Sequence, residues 1–183
     1  MGLFVSKKKE AVLGNFLAEC VDDPSVCDSF TISFLVYIDG LLTMDDFVHV
    51  LNTVSPSKGR YYVRFTVTRN IARLEAEAYV VVGKSSNIVK KSGPFPDTDM
   101  WVHVAMVFTA SSGNLKLYLN SHKMIDPMLV IPWSGTDSEV KISFGNRKTS
   151  NDFFISVFQI LEGEKAEDKI RQLEKENRNQ GTH

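Results

Sequence analysis

No apolar run in this chain approaches the roughly 18 residues that a membrane-spanning helix needs, so the piece itself is not expected to insert in a membrane. Neither charge is in excess: 21 Lys and Arg stand against 22 Asp and Glu. A net charge of −1 creates no positive field to draw in nucleic acid, and none is expected as a partner. Nucleophile motifs of the Gly-x-Ser-x-Gly kind are missing. Gly83-Lys84-Ser85-Ser86 lacks the earlier glycine of a phosphate-binding loop, since Ala78 stands at that place, and reads as a hairpin turn. The four histidines, His49, His103, His122 and His183, form no helical His-Glu pair. His103 alternates inside a strand-like run and is read as structural. Cysteine occurs twice, at Cys20 and Cys27, with no nearby His to complete a zinc site.

What the chain does have is a period of two. Phe30, Ile32, Phe34, Val36 and Ile38 alternate with Thr31, Ser33, Leu35 and Tyr37, which places one face of a strand in a core. Runs at 47–54, 61–68 and 74–82 are rich in Val, Thr, Tyr and Phe and are separated by turn residues, so they read as successive antiparallel strands. Ser92-Gly93-Pro94-Phe95-Pro96-Asp97 reads as a loop, because its prolines lack the N–H that a central ladder requires. Trp101–Phe108 and Leu115–Asn120 flank a Ser/Gly turn and form a hairpin. Further strands are expected at 140–144 and 153–160, the second apolar on both faces and therefore central. Ala166, Ile170 and Leu173 then recur at helical spacing among charged residues, giving one short amphipathic helix over about 164–178. Many strands and one late helix in 183 residues describe a single all-β antiparallel sandwich with a short C-terminal helix.

The domain is bounded at 11–178, with 1–10 and 179–183 read as flanking or cloning-derived segments. Positive charges follow the short apolar start, which reverses the order of a secretory signal, so a mature piece of a longer protein is expected.

Trp101-Val102-His103-Val104-Ala105-Met106-Val107-Phe108, the Ser/Gly turn and Leu115-Lys116-Leu117-Tyr118-Leu119-Asn120 closely resemble the central hairpin of the laminin-G/pentraxin-like branch of the concanavalin A-like lectin/glucanase superfamily. Cys20, Cys27 and Phe30-Thr31-Ile32-Ser33-Phe34 are similar to that family's opening, with Leu35 where Trp is usual. Ile142-Ser143-Phe144-Gly145-Asn146, the apolar strand after it and the Glu/Lys-rich helix match its close. The resemblance runs in order from Asn15 to Leu173 and implies a concanavalin A-like jelly roll. Two departures limit it: Asn120 is followed by Ser121 where the family turns through Asn-Gly, and the family's calcium ligands have no counterpart. Asp45, Asp46, Asp97, Asp99, Asp126, Asp137 and Asp152 are spread over separate loops. No cofactor is expected; calcium stays open without support.

The resemblance also implies a Cys20–Cys27 disulfide. The intervening Asp-Pro-Ser is turn chemistry compatible with closure, worth about 2–3 kcal/mol over so short a loop; two reduced thiols remain the alternative. Glycosidases of this sandwich need acidic residues at alternate positions of one strand. Only Glu75 and Glu77 come near, and beside Arg73 they read as a solvated exterior. The expectation is a non-catalytic recognition or adhesion module of a larger secreted or cell-surface protein, binding an extracellular protein or glycan. A carbohydrate-active enzyme of the same fold and a self-associating assembly or spacer domain are the alternatives. Ligand-type groups without a packing duty gather at Trp133, Asp97, Asp99 and Asp137, so binding is expected on loops at a sandwich end or on a concave sheet face. A basic patch of Lys7, Lys8, Lys9, Lys84, Lys90 and Lys91 is the weaker candidate, against scattered solvated lysines.

Overall fold

Alternation decides which residues each strand buries, and the computed structural model shows where those faces meet. It describes residues 2–12, 29–53, 62–82, 87–109, 111–124, 129–132 and 142–181; Cys20, Cys27, Trp133 and Asp137 lie outside them. Among the described residues the strands are β1 (Leu3–Val5), β2 (Glu10–Val12), β3 (Ser29–Ile38), β4 (Phe47–Thr53), β5 (Tyr62–Arg69), β6 (Leu74–Val82), β7 (Asn87–Pro94), β8 (Trp101–Thr109), β9 (Asn114–Leu119), β10 (His122–Lys123), β11 (Leu129–Pro132), β12 (Ile142–Gly145) and β13 (Phe153–Glu162). One helix, α1 (Glu167–Gly181), follows them.

Sheet A has the order β1-β13-β3-β8-β9-β10 and sheet B the order β11-β7-β6-β5-β4-β12-β2. Every pairing described is antiparallel. The inner faces meet in one core, where Phe30, Phe34, Phe65, Phe108, Phe144 and Phe153 are fully buried among Val, Ile and Leu. Each such ring contributes about 1.5–3 kcal/mol of transfer free energy. Phe34 and Phe65 meet edge-on across the two sheets, with centroids 5.7 Å apart.

Several elements differ from the sequence reading, among them β2, β10 and β11, which it did not expect. Ser92-Gly93-Pro94 is the end of a strand: Pro94 pairs opposite Glu75. β11 covers only Asn87–Lys90 of β7, so the missing proline N–H falls on an edge that no described strand needs. Leu3–Val5, inside the segment set apart as flanking, pair with β13 and place Val5 in the core; three residues are too few to display a period. The helix also extends to Gly181.

β3 and β8 are buried on both faces because α1 lies across the outside of sheet A. Ser33 and Ala105, two of the outward residues there, are small, so the helix approaches closely. Ile170 and Leu173 pack on Ala105, Val107 and Tyr118. Beside this apolar contact His103 Nε2 lies 2.9 Å from Ser33 Oγ, and Asn177 Nδ2 donates to the same oxygen at 3.3 Å. The β9–β10 turn, Asn120-Ser121, has both residues at positive φ, 48° and 60°, the two-residue hairpin geometry that favours glycine at the second place. Helix side chains hold it: Arg178 Nη2 donates to Asn120 Oδ1 at 2.8 Å, and the Ser121 hydroxyl donates to Glu174.

Gly145 has φ of 74°, and a Cβ there would stand 2.5 Å from the Lys9 carbonyl and 2.8 Å from Val5 Cγ1. Gly145→Ala is expected to destabilise by about 1–3 kcal/mol, read as a lower urea midpoint, with faster hydrogen exchange in β1 and β2 than in β5 or β6.

Burial holds the His103 imidazole down at about 4, aided by Arg178 and opposed by Glu174. Burial, with Arg64 and Lys148, does the same to His49. Between the ordinary 6.5 and about 4 the unfolded chain binds more protons than the folded one, so stability falls as pH drops through that window. For His103 alone the loss reaches about 3 kcal/mol. His103→Gln, which can still bond Ser33 but cannot charge, is expected to flatten the dependence of the urea midpoint on pH across that range.

Candidate functional site

α1 packs on β13, β3 and β8, so among the described residues the outer face of sheet B has no helix over it. Period two decides what it displays. Val63, Phe65 and Val67 of β5 and Ala76, Ala78 and Val80 of β6 are fully buried in the core, which turns Arg64, Thr66, Thr68, Glu75, Glu77 and Tyr79 outward.

The register aligns these groups in rows. Ser143, Asn52, Arg64, Tyr79 and Lys90 are successive cross-strand partners from β12 to β7. His49, Thr66, Glu77 and Ser92 form the next row, and Phe47, Thr68, Glu75 and Pro94 the third. Glu77 accepts from both the Lys90 ammonium and the Tyr79 hydroxyl, and the Lys90 Nζ lies 5.4 Å from the Tyr79 ring centre, within cation–π range. Burial, together with the bond to Glu77 and its charge, pushes the Tyr79 hydroxyl up, so it remains a donor at any physiological pH.

His49 packs edge-on to Phe47 at 5.0 Å between centroids. Its imidazole, held at about 4, is neutral at physiological pH and can both donate and accept. Its Nδ1 is buried and has no partner among the described residues. A buried polar atom of this kind is ordinarily met by water or a ligand. Asn52, Thr66 and Ser143 are themselves buried on this face, a floor of small polar groups among longer neighbours. The whole presents amide, hydroxyl, imidazole, guanidinium and carboxylate groups beside aromatic rings, the donor and acceptor mixture that a polyhydroxylated ligand requires.

Glu75 and Glu77 do share this face. Glu77 is engaged by Lys90 and Tyr79, and Glu75 Oε2 accepts from Asn70 Nδ2 at 2.8 Å. Both carboxylates are tied into the surface lattice, and among the described residues no second acidic strand stands opposite them across a cleft.

Of the expected loop residues, Asp97 and Asp99 are described, both exposed between β7 and β8. They do different things. Asp97 Oδ1 accepts from the adjoining Thr98 N at 2.8 Å. Asp99, at φ 57°, reaches over to the end of β3, where its Oδ1 accepts from Gly40 N at 2.7 Å. Burial, then the charges of Asp99 and Asp39 and a hydrogen bond to Asp99, raise the Tyr37 hydroxyl. Lys90 and Lys91 point to opposite faces of β7: Lys90 to the row above, Lys91 to a separate cavity of about 240 Å³ lined also by Lys116 and Lys123. The lysine patch is therefore divided, and Lys84 lies outside the described residues. Among the described residues no group of three or more His, Cys, Asp or Glu is placed to hold a metal ion.

Asn52, Arg64 and Tyr79 carry the site and were not singled out by motif. For Arg64 and Tyr79 the signal was present as polar residues alternating with Val, Phe and Ala in β5 and β6; the alignment of five strands, from β12 to β7, was not.

Solved structures share this architecture. The receptor-binding domain of botulinum neurotoxin D superposes with a TM-score of 0.66 at 15% identity, covering 94% of this chain and 43% of that one. A botulinum neurotoxin type C structure, from work titled as showing cell entry dependent on two ganglioside molecules, gives 0.59 at 16% identity over 96% and 46%. The type G receptor-binding domain gives 0.60 at 11% over 95% and 46%. This chain thus spans less than half the length of those proteins, and at such identity the likeness is one of fold. Comparison with curated protein sequences gives no match. The family model of the concanavalin A-like lectin/glucanases superfamily, in its laminin-G form, matches residues 18–161. With that match over most of the chain, and with the two-sheet jelly roll in place, this protein belongs to the concanavalin A-like lectin/glucanase superfamily.

Proposed function

We propose that this domain is a non-catalytic recognition module of a larger secreted or cell-surface protein, and that it binds a glycan on the outer face of sheet B. The observation that carries the reading is the His49–Arg64–Tyr79 surface: a buried imidazole nitrogen without a partner among the described residues, set among aligned donors and acceptors. Two aromatic residues on the same face, Phe47 and Tyr79, supply apolar area for the C–H side of a sugar ring. The structural neighbours support a binding role: the type D and type G structures are receptor-binding domains, and the type C neurotoxin is described as entering cells through two ganglioside molecules. The engagement of Glu75 and Glu77 by Asn70, Lys90 and Tyr79 favours binding over hydrolysis, which needs one carboxyl to give a proton and another to attack or activate water.

The test is a glycan array probed with the wild-type protein and with Arg64→Ala, Tyr79→Ala and Trp133→Ala. Trp133 directly follows β11, the strand beside Lys90, and with Asp137 it is the loop contribution to the reading. Loss of at least about tenfold in affinity for Arg64→Ala and Tyr79→Ala, with unchanged thermal midpoints, is expected. Equal binding by wild type and both variants would place the site elsewhere; release of free sugar on incubation would make the domain an enzyme.

A secreted setting carries a second expectation, that Cys20 and Cys27 are bonded in protein made in an oxidising compartment. Intact mass should rise by two hydrogens on reduction. An unchanged mass removes the disulfide and weakens the extracellular assignment.

A further inference from the structure

The charge around His49 is one-sided. His49 stands beside a β-bulge: its partner on β5 is Thr66, the next paired residue is Leu51, opposite Phe65, and Val50 between them is extra. Val50 and Leu51 are both fully buried, so two successive residues of β4 enter the core, and His49 and Asn52 turn outward on either side of them. Asn52 lies opposite Arg64 on β5, which puts the guanidinium on one side of the imidazole.

On the other side, the connection from β12 to β13 is fastened to β4. Ser150 N donates to the Phe47 carbonyl at 3.0 Å, and Phe47 N donates to Ser150 Oγ at 3.2 Å. Within that turn Lys148 N donates to Asn146 Oδ1 at 2.8 Å and Asn146 N to Thr149 Oγ1 at 3.1 Å. Lys148 is thus an exposed side chain on a braced backbone. Lys8 N donates to the Thr149 carbonyl at 3.0 Å, which sets exposed Lys7, Lys8, Lys9 and Arg147 beside the same turn.

The charges that act on the His49 imidazole are those of Arg64 and Lys148, both positive. Carboxylates at this end of the sandwich are engaged elsewhere: Glu77 by Lys90 and Tyr79, Glu75 by Asn70, Asp46 by Thr43, and Asp152 by the Lys7 amide. Glu10, Asp39 and Asp45 are exposed at its margins. Among the described residues, none of these carboxylates is one of the groups that hold the imidazole down.

A sugar lying over His49 removes water from Arg64 and Lys148. Hydroxyl groups offset only part of the hydration that a guanidinium and an ammonium lose, and the repulsion between the two cations grows as water leaves. An anionic substituent offsets both effects, because its oxygens accept charge-assisted hydrogen bonds from the two cations. His49 Nδ1, buried and without a partner among the described residues, adds a third donor in the tautomer that carries its proton there.

We propose that the glycan on the outer face of sheet B is acidic, with a carboxylate or sulfate group seated over His49 between Arg64 and Lys148. This rests on the glycan reading above and narrows it. The experiment is an array of matched oligosaccharides, each neutral chain beside its uronate and its O-sulfated counterpart, followed by calorimetric affinities for the sets that bind. An acidic member is expected to bind at least about tenfold more tightly than its neutral partner, by a margin that shrinks as salt rises. Which acid binds tells carboxylate from sulfate. Lys148→Ser should remove most of the margin while the neutral member's affinity and the thermal midpoint stay as in wild type, since the turn holds Lys148 by its amide. Lys7→Ser, on the neighbouring turn, should change the margin little.

Equal affinity for neutral and acidic members overturns the proposal and leaves the glycan face standing. A preference for acid that survives Lys148→Ser, or that Lys7→Ser reduces more, puts the anionic group away from His49 and overturns it as well. Absence of binding to every member removes the glycan reading itself, and this proposal with it.

Discussion

Everything else in this molecule depends on the interlock of the two inner sheet faces. Phe30, Phe34 and Phe108 from sheet A meet Phe65 and Phe144 from sheet B in a core with no exposed member. Because side chains alternate at every residue, that contact fixes more than stability. A slip of one residue in β5 would send Arg64 and Thr66 into the core and Phe65 and Val67 to solvent, at a cost the domain could not bear. The rows on the outer face of sheet B are aligned because their inward neighbours cannot move.

The two outer faces have been put to different uses by what covers them. On sheet A the outward residues Ser33, Ala105 and Val107 are small enough for α1 to settle against them, and Ile170 and Leu173 close the contact. The cost is a buried polar cluster of Ser33, His103 and Asn177, which must stay neutral. It also recruits Arg178 and Glu174 to hold a positive-φ Asn-Ser turn that lacks the family's glycine. Helix and hairpin stabilise one another. What lies beyond the reach of α1, the Phe4–Phe154–Tyr37–Trp101 row, stays open, while sheet B keeps a polar face of long charged side chains that stabilise each other by cross-strand pairing. The sheet B face offers directional hydrogen bonds and pre-formed donors.

The sequence by itself determined the strands whose apolar residues alternate over a long run, β3, β5, β6, β8 and β9, because period two is a local property. It also determined the terminal helix and the family, through the Trp101–Asn120 hairpin. It did not show β1, too short to have a period, or the strand ending at Pro94, whose tolerance depends on where β11 stops. Asp97 and Asp99 looked equivalent, two residues apart in one loop; only the tertiary structure separated them, giving Asp97 a local turn bond and Asp99 a bridge to Gly40. His49, Arg64 and Tyr79, from three strands, and Phe4, Phe154, Tyr37 and Trp101, from four, were brought together by register. Those are long-range relations, set by which strands pair and in what phase, and no window of sequence contains them.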